Sequence, residues 1–304
     1  PPPPYGPEAG VDLPTGPRIP SPDAPWGQAN DFVPPLSDTL IMYHNGHETL
    51  TCTPNYDGVV DHFNQLGYDV FELMMPLIGC NEAPQYDIPG EGAQKHWWFQ
   101  QFEDRGDYTM RYFIEPVALA VAHAKRLGYK HIVLSGLSGG GWTTAVAAAI
   151  LTDIDLSIQI SGSLPRWPTP AYPTWVPELP EGRNRSAVSP DIFHPPPPIG
   201  AGGDFEQWQA RPVYDAIGGF VEMYVLAALE PHRHQLQILH EYDWTCFRGA
   251  GLFDKIKAFN AFVQAHVGGW MQTAVTAGNS HQVNPRDKVL VAVMVERLRR
   301  NGKL

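Results

Sequence analysis

The stretch HIVLSGLSGGGWTTAVAAAI, His131 to Ile150, runs from an apolar segment through a knot of glycines into an alanine-rich segment. A single serine, Ser138, stands at the crossing, flanked by Gly136, Gly139, Gly140 and Gly141. The apolar half has the length and composition of a strand buried on both faces of a parallel sheet. The alanine-rich half predicts a helix. One reading of the glycines is a tight turn that needs small residues. The other is a serine held out at the tip of a strained corner so that it can attack a substrate.

Working outward, strands and helices alternate. TLIMYH (39–44) reads as a buried strand. YDGVVDHFNQLG has helical spacing that puts Val59, Val60, Phe63 and Leu66 on one side, and YDVFELMM returns to strand. EPVALAVAHAKRLG predicts a helix with Pro116 at its first position and Gly128 as its stop. Beyond the serine, LSIQIS, HQLQILHEY and WMQTAVTA read as strands. AIGGFVEMYVLAAL, LFDKIKAFNAFVQAH and PRDKVLVAVMVERLRR read as helices. Such alternation predicts an α/β fold: a mostly parallel, doubly wound sheet with helices on both faces and functional groups at the carboxyl ends of the strands.

Two long segments, 81–112 and 164–212, interrupt this rhythm after predicted strands and are expected to form rim and lid over the strand ends. Residues 1–37, rich in proline and glycine, are expected as a strap outside a single domain spanning 38–304. The start PPPPYGPEAG, without methionine, points to a removed leader and hence to a secreted or periplasmic protein. Three cysteines permit at most one internal disulfide, with Cys52 and Cys80 the favoured pair because each follows a predicted central strand; Cys246 is left over. The net charge of −11 argues against nucleic acid as a partner. No apolar run reaches the about 18 residues of a membrane-spanning helix.

Gly136-Leu137-Ser138-Gly139-Gly140 matches G-x-S-x-G in the strand–turn–helix setting that this motif requires. Here the chain resembles the α/β-hydrolase superfamily over about residues 39–298, with a looser likeness to bacterial secreted esterases of the dienelactone-hydrolase and acetylxylan-esterase kind. It departs from dienelactone hydrolases, which use a cysteine nucleophile. In the superfamily a nucleophile follows the fifth strand, an acid a later strand and a histidine the last. The resemblance therefore implies Ser138 as nucleophile, with Gly139 N–H as the first oxyanion donor.

For the acid, the segment QLQILHEYDWTCF offers Glu241 and Asp243; Asp243 is preferred because it lies just past the strand end. His281, in the loop after the last predicted strand, is the base. An imidazole there can take the serine proton and return it to a leaving group, while the carboxylate fixes its tautomer. The second oxyanion donor is expected in the loop HNGHE after the first strand, at the N–H of His47. The spacing His44 to His47 also fits a pair of metal ligands, but no cysteine or carboxylate cluster completes a site, so no metal or organic cofactor is implied.

Tryptophans crowd the expected mouth, and Trp142 and Trp244, close in sequence to the nucleophile and acid, are the candidates for substrate contact. The chemistry these residues predict is that of a serine esterase acting through an acyl-enzyme on a small-molecule or carbohydrate ester, or on an aromatic one. A serine peptidase or amidase on the same fold is the alternative among enzymes. A non-catalytic carbohydrate-binding protein is the alternative outside them.

Overall fold

A computed structural model describes residues 37–47, 52–81, 109–163, 220–243, 249 and 253–304, with 220, 221 and 253–256 described in backbone alone. Residues 1–36 of the expected strap, 82–108 of the first expected insertion, the whole of the second (164–212), Trp244 and Cys246 lie outside the described residues.

Six strands, β1 (Thr39–His44), β2 (Asp69–Leu73), β3 (His131–Leu137), β4 (Leu156–Ile160), β5 (His234–His240) and β6 (Trp270–Thr276), form one sheet in the order β2-β1-β3-β4-β5-β6. Every pairing is parallel. β1 and β3 are mostly apolar because both of their faces are covered, and all six residues of β1 are buried; β4 and β5 also carry buried polar side chains, among them Gln159, Gln235 and Gln237. Successive side chains supply opposite faces. Leu40, Met42, Ile132 and Leu134 enter one core with Phe113, Trp142, Tyr224 and Phe259. Ile41, Tyr43 and Val133 enter the other with Phe63, Val291 and Leu298.

The helices divide accordingly. On the first face lie α2 (Met110–Leu127), α3 (Gly139–Ile150), α4 (Phe220–Ala227) and α5 (Phe253–Gln264); on the second lie α1 (Val59–Gln65) and α6 (Pro285–Arg300). The doubly wound parallel sheet expected from the alternation is thus present.

Two local details differ from expectation, and the favoured cysteine pairing agrees with it. α2 begins at Met110, so Pro116 lies inside the helix instead of opening it, and residues 110–112 of the expected first insertion are helical. The buried stripe Phe113, Ile114, Val117, Val121, Ala124 explains this. Packing on both sides of the proline outweighs the one hydrogen bond that its missing N–H forfeits. Leu66, expected on the buried side of α1, is its C-cap and is exposed, whereas Val59 and Phe63 are buried. Cys52 and Cys80 are joined by a disulfide, which ties the connection after β1 to the turn after β2.

The chain leaves β1 toward β2 at one edge and then returns to place β3 on the other side of β1. That reversal opens a crevice at the carboxyl ends of β1 and β3, where open α/β sheets bind ligands. His44 is in register with Gly136, and Leu137 with Ile160. The loops that follow β1, β3 and β4 therefore leave the sheet at one level.

Candidate active site

Ser138 is the hinge of the corner. It has φ 55° and ψ −124°, outside the conformations that side chains with a Cβ favour, and it is the N-cap of α3. Such a conformation costs on the order of 1–3 kcal/mol and persists only where the surroundings impose it. They do so by two backbone bonds: Ser138 N–H donates to Ile160 O at 2.9 Å, and Trp142 N–H donates to Ser138 O at 2.9 Å.

None of the four glycines around the serine has positive φ; they are required for space. A Cβ on Gly140 would lie 2.1 Å from His44 O, and one on Gly136 would lie 2.4 Å from Gly140 O. The knot thus lets α3 start in backbone contact with β1, which puts the strain on the serine alone. The first N–H groups of α3 have no partner within the helix and carry its positive end, so the corner at Ser138 is a place that favours negative charge. The loop after β1 overlies this point. A Cβ on Gly139 would meet the Met75 thioether at 2.5 Å and His47 Cε1 at 2.8 Å.

Two strands away, the loops after β5 and β6 bring Asp243 and His281 together. His281 Nδ1 donates to Asp243 Oδ2 at 2.9 Å, with the carboxylate fully buried and the imidazole side chain 9% exposed. That bond puts the proton of the neutral ring on Nδ1 and makes Nε2 its basic nitrogen. Backbone bonds weld the two loops: Glu241 N–H donates to Thr276 O, and Tyr242 N–H donates to Gly278 O, each at 2.8 Å. Of the two acids that the sequence offers, Asp243 is the one bonded to His281. Glu241 is half-exposed.

Asp57, in the connection between β1 and α1, accepts a 2.7 Å bond from Tyr43 OH. Burial pushes its carboxyl above the usual range, against the pull of Tyr43, Lys288 and His281, while Glu72 adds to the rise.

Behind the pair sits a group that the sequence reading missed. His240, the last residue of β5, is fully buried; its Nε2 lies 2.9 Å from Asp287 Oδ2 and its Nδ1 2.8 Å from Ser280 O. Asp287 was legible only as the third residue of the capping box at the start of α6, where Asn284 is the cap.

Trp142 does not stand where the sequence reading put it. Its ring is 2% exposed and meets Phe113 edge to face, because α3 is enclosed by the sheet, α2 and α4. It is a core residue, not one that lines the crevice. Among the described residues no helix is long and apolar enough to cross a membrane.

Solved structures share this architecture. The crystal structure of TT1662 from Thermus thermophilus aligns with a TM-score of 0.54 at 14% identity, over 85% of this chain and 88% of that one. An acetyl xylan esterase from Paenibacillus sp. R4 aligns with a TM-score of 0.52 at 14% identity, over 87% of this chain and 75% of that one. A structure titled for LipS and LipT, two metagenome-derived lipolytic enzymes, aligns with a TM-score of 0.50 at 13% identity, over 87% and 94%. At such identities the likeness establishes the fold, which is that of the α/β hydrolases. No family model and no curated protein matches the sequence.

Proposed function

We propose that this protein is a serine esterase. The observation that carries the reading is the buried 2.9 Å bond from His281 to Asp243, on the sheet edge where Ser138 occupies a strained corner. Ser138 Oγ attacks the ester carbonyl as its proton passes to His281 Nε2. Asp243 holds the ring through Nδ1 and stabilises the imidazolium. The N–H groups of Gly139 and His47 take the charge on the carbonyl oxygen. The imidazolium then protonates the departing alcohol, leaving an acyl group on Ser138. A water molecule, deprotonated by His281, releases the acid and regenerates the serine.

The same three groups can cleave an amide. The choice of ester draws support from the neighbouring folds, one an acetyl xylan esterase and another from lipolytic enzymes. Acyl esters of carbohydrates and aromatic acids are the substrate classes to try first.

The test is a panel of p-nitrophenyl esters, acetylated sugars and peptide amides run on wild type and Ser138→Ala. Ester cleavage that falls at least about a thousandfold in the variant is expected. A fluorophosphonate that fails to label Ser138, with no turnover in the panel, would favour a carbohydrate-binding role instead.

A further inference from the structure

Both ring nitrogens of His240 face acceptors. A backbone carbonyl cannot donate, so the 2.8 Å contact to Ser280 O requires a proton on Nδ1. At Nε2 the partner is Asp287, whose Oδ1 already accepts from Thr276 Oγ1 at 2.9 Å and whose Oδ2 accepts from Asn284 N–H at 2.9 Å. With those two donors aimed at it, the carboxylate takes a third proton donor from His240 at 2.9 Å. Protons on both nitrogens make the ring a cation. It lies 3.9 Å from Asp243 Oδ2, the oxygen that also holds His281.

We propose that His240 is a positioning residue for the esterase reading above: a buried imidazolium that anchors the His281 loop through Ser280 and sets the charge of Asp243 from behind. It acts at two levels. Mechanically, Ser280 O precedes His281 by one residue, so the bond from His240 fixes the backbone that carries the base. Electrostatically, a positive charge beside Asp243 favours its ionised form and tempers its pull on the proton of His281. The pair Asp243–His281 is then backed by a line of alternating charge that runs from Asp243 through His240 to Asp287.

The charged groups that face His240 are Asp287 from α6 and Asp243 from its own loop; His281, from the β6–α6 loop, reaches it through Asp243. Burial, the largest influence on this ring, works against its charge. The bond and charge of Asp287, the charge of Asp243 and the Ser280 carbonyl together outweigh it and hold the group above its ordinary value.

Two measurements test this. In His240→Gln the ring cation is lost while a donor to Asp287 is kept. Asp243 then acts on His281 without an opposing charge, so the acid limb of the kcat/KM profile should move to higher pH by on the order of one unit, the size of one unit charge acting across several ångströms at an effective dielectric near 20. A profile that keeps its limb in place overturns the electrostatic role, even if the rate falls.

Nitrogen-15 NMR of the wild-type imidazoles gives an answer that needs no activity and no variant. The His240 ring, assigned through its proximity to Gly278, should carry protons on both nitrogens at a pH above 6.5, where a free imidazole is mostly neutral. A neutral tautomer there overturns the proposal. If the wild type shows no Ser138-dependent ester cleavage, the esterase reading fails, and the NMR result still decides whether His240 is a cation.

Discussion

His281 Nδ1 donates to Asp243 Oδ2 at 2.9 Å across two loops whose parent strands, β6 and β5, are hydrogen-bonded neighbours in the sheet. The residues are 38 apart in sequence, yet the register that pairs His240 with Thr276 brings the two strand ends level. The interaction is therefore built into the sheet and does not depend on a side chain reaching across a gap.

Asp243→Asn should lower kcat/KM for esters by roughly 10³–10⁴-fold, because an amide at this point can present a donor to Nδ1 and stabilise the wrong tautomer. Glu241→Gln should change it less than about twofold, since residue 241 is half-exposed and its N–H, which donates to Thr276 O, is unaffected by the change. Steady-state kinetics on the two variants check this. The opposite ranking would relocate the acid.

The strain at Ser138 has a thermodynamic signature. Glycine tolerates φ 55° with ψ −124° and alanine does not, so Ser138→Gly should be more stable than Ser138→Ala by about 1 kcal/mol although neither should cleave esters. Urea denaturation midpoints of the two variants measure the difference. Equal midpoints would mean that the corner relaxes once the hydroxyl is gone.

The corner at Ser138 was readable because its signals are local: an apolar run, a serine among glycines and an alanine-rich run within twenty consecutive residues. The parallel sheet followed from the alternation for the same reason. The start of α2 was not readable, since Pro116 resembles a helix opener until Phe113 is seen against Trp142. His240 and Asp287 lie 47 residues apart, and each has an ordinary local role, as a strand end and as part of a helix cap. No periodicity reports that the two meet. Trp142 misled because closeness in sequence to the nucleophile was read as closeness to substrate, whereas α3 turns the residue four places after the serine into the core.

Gly140→Ala should be among the most damaging single-methyl changes in the chain. The added Cβ would fall 2.1 Å from His44 O and 2.6 Å from Asn45 O, both backbone atoms that cannot rotate away. A cost of about 3 kcal/mol is expected from forced separation of α3 and β1, at the upper end for overpacking. Thermal unfolding of the variant, alongside loss of ester cleavage, tests it.

The Cys52–Cys80 disulfide closes a sequence separation of 28 residues that contains α1 and β2. Replacing both cysteines by serine should reduce the unfolding free energy by about 2–4 kcal/mol, through the greater freedom of the unfolded chain. Guanidinium unfolding of the double variant against wild type, both without reductant, gives the value. Wild type in reductant should resemble the double variant.

β5 carries a buried histidine at each end, and the two should titrate in opposite senses. His240 is held above its ordinary value of 6.5, so the stability it contributes is full below that pH and is lost as pH rises through its folded value. His234 is the reverse case. It is 1% exposed, neither ring nitrogen has a hydrogen-bond partner among the described residues, and burial, with the charges of Lys303 and His232, lowers it from 6.5 to about 4. Between those two values the unfolded chain binds a proton that the folded ring refuses, so stability falls with pH across that window. The full loss is on the order of 3 kcal/mol. His234→Leu removes the titrating group at similar volume. Denaturant unfolding from pH 7 to pH 4 should show the variant losing less stability than wild type, with the difference growing from about pH 6.5 downward. Parallel curves would mean that the His234 ring finds a proton acceptor in the folded protein.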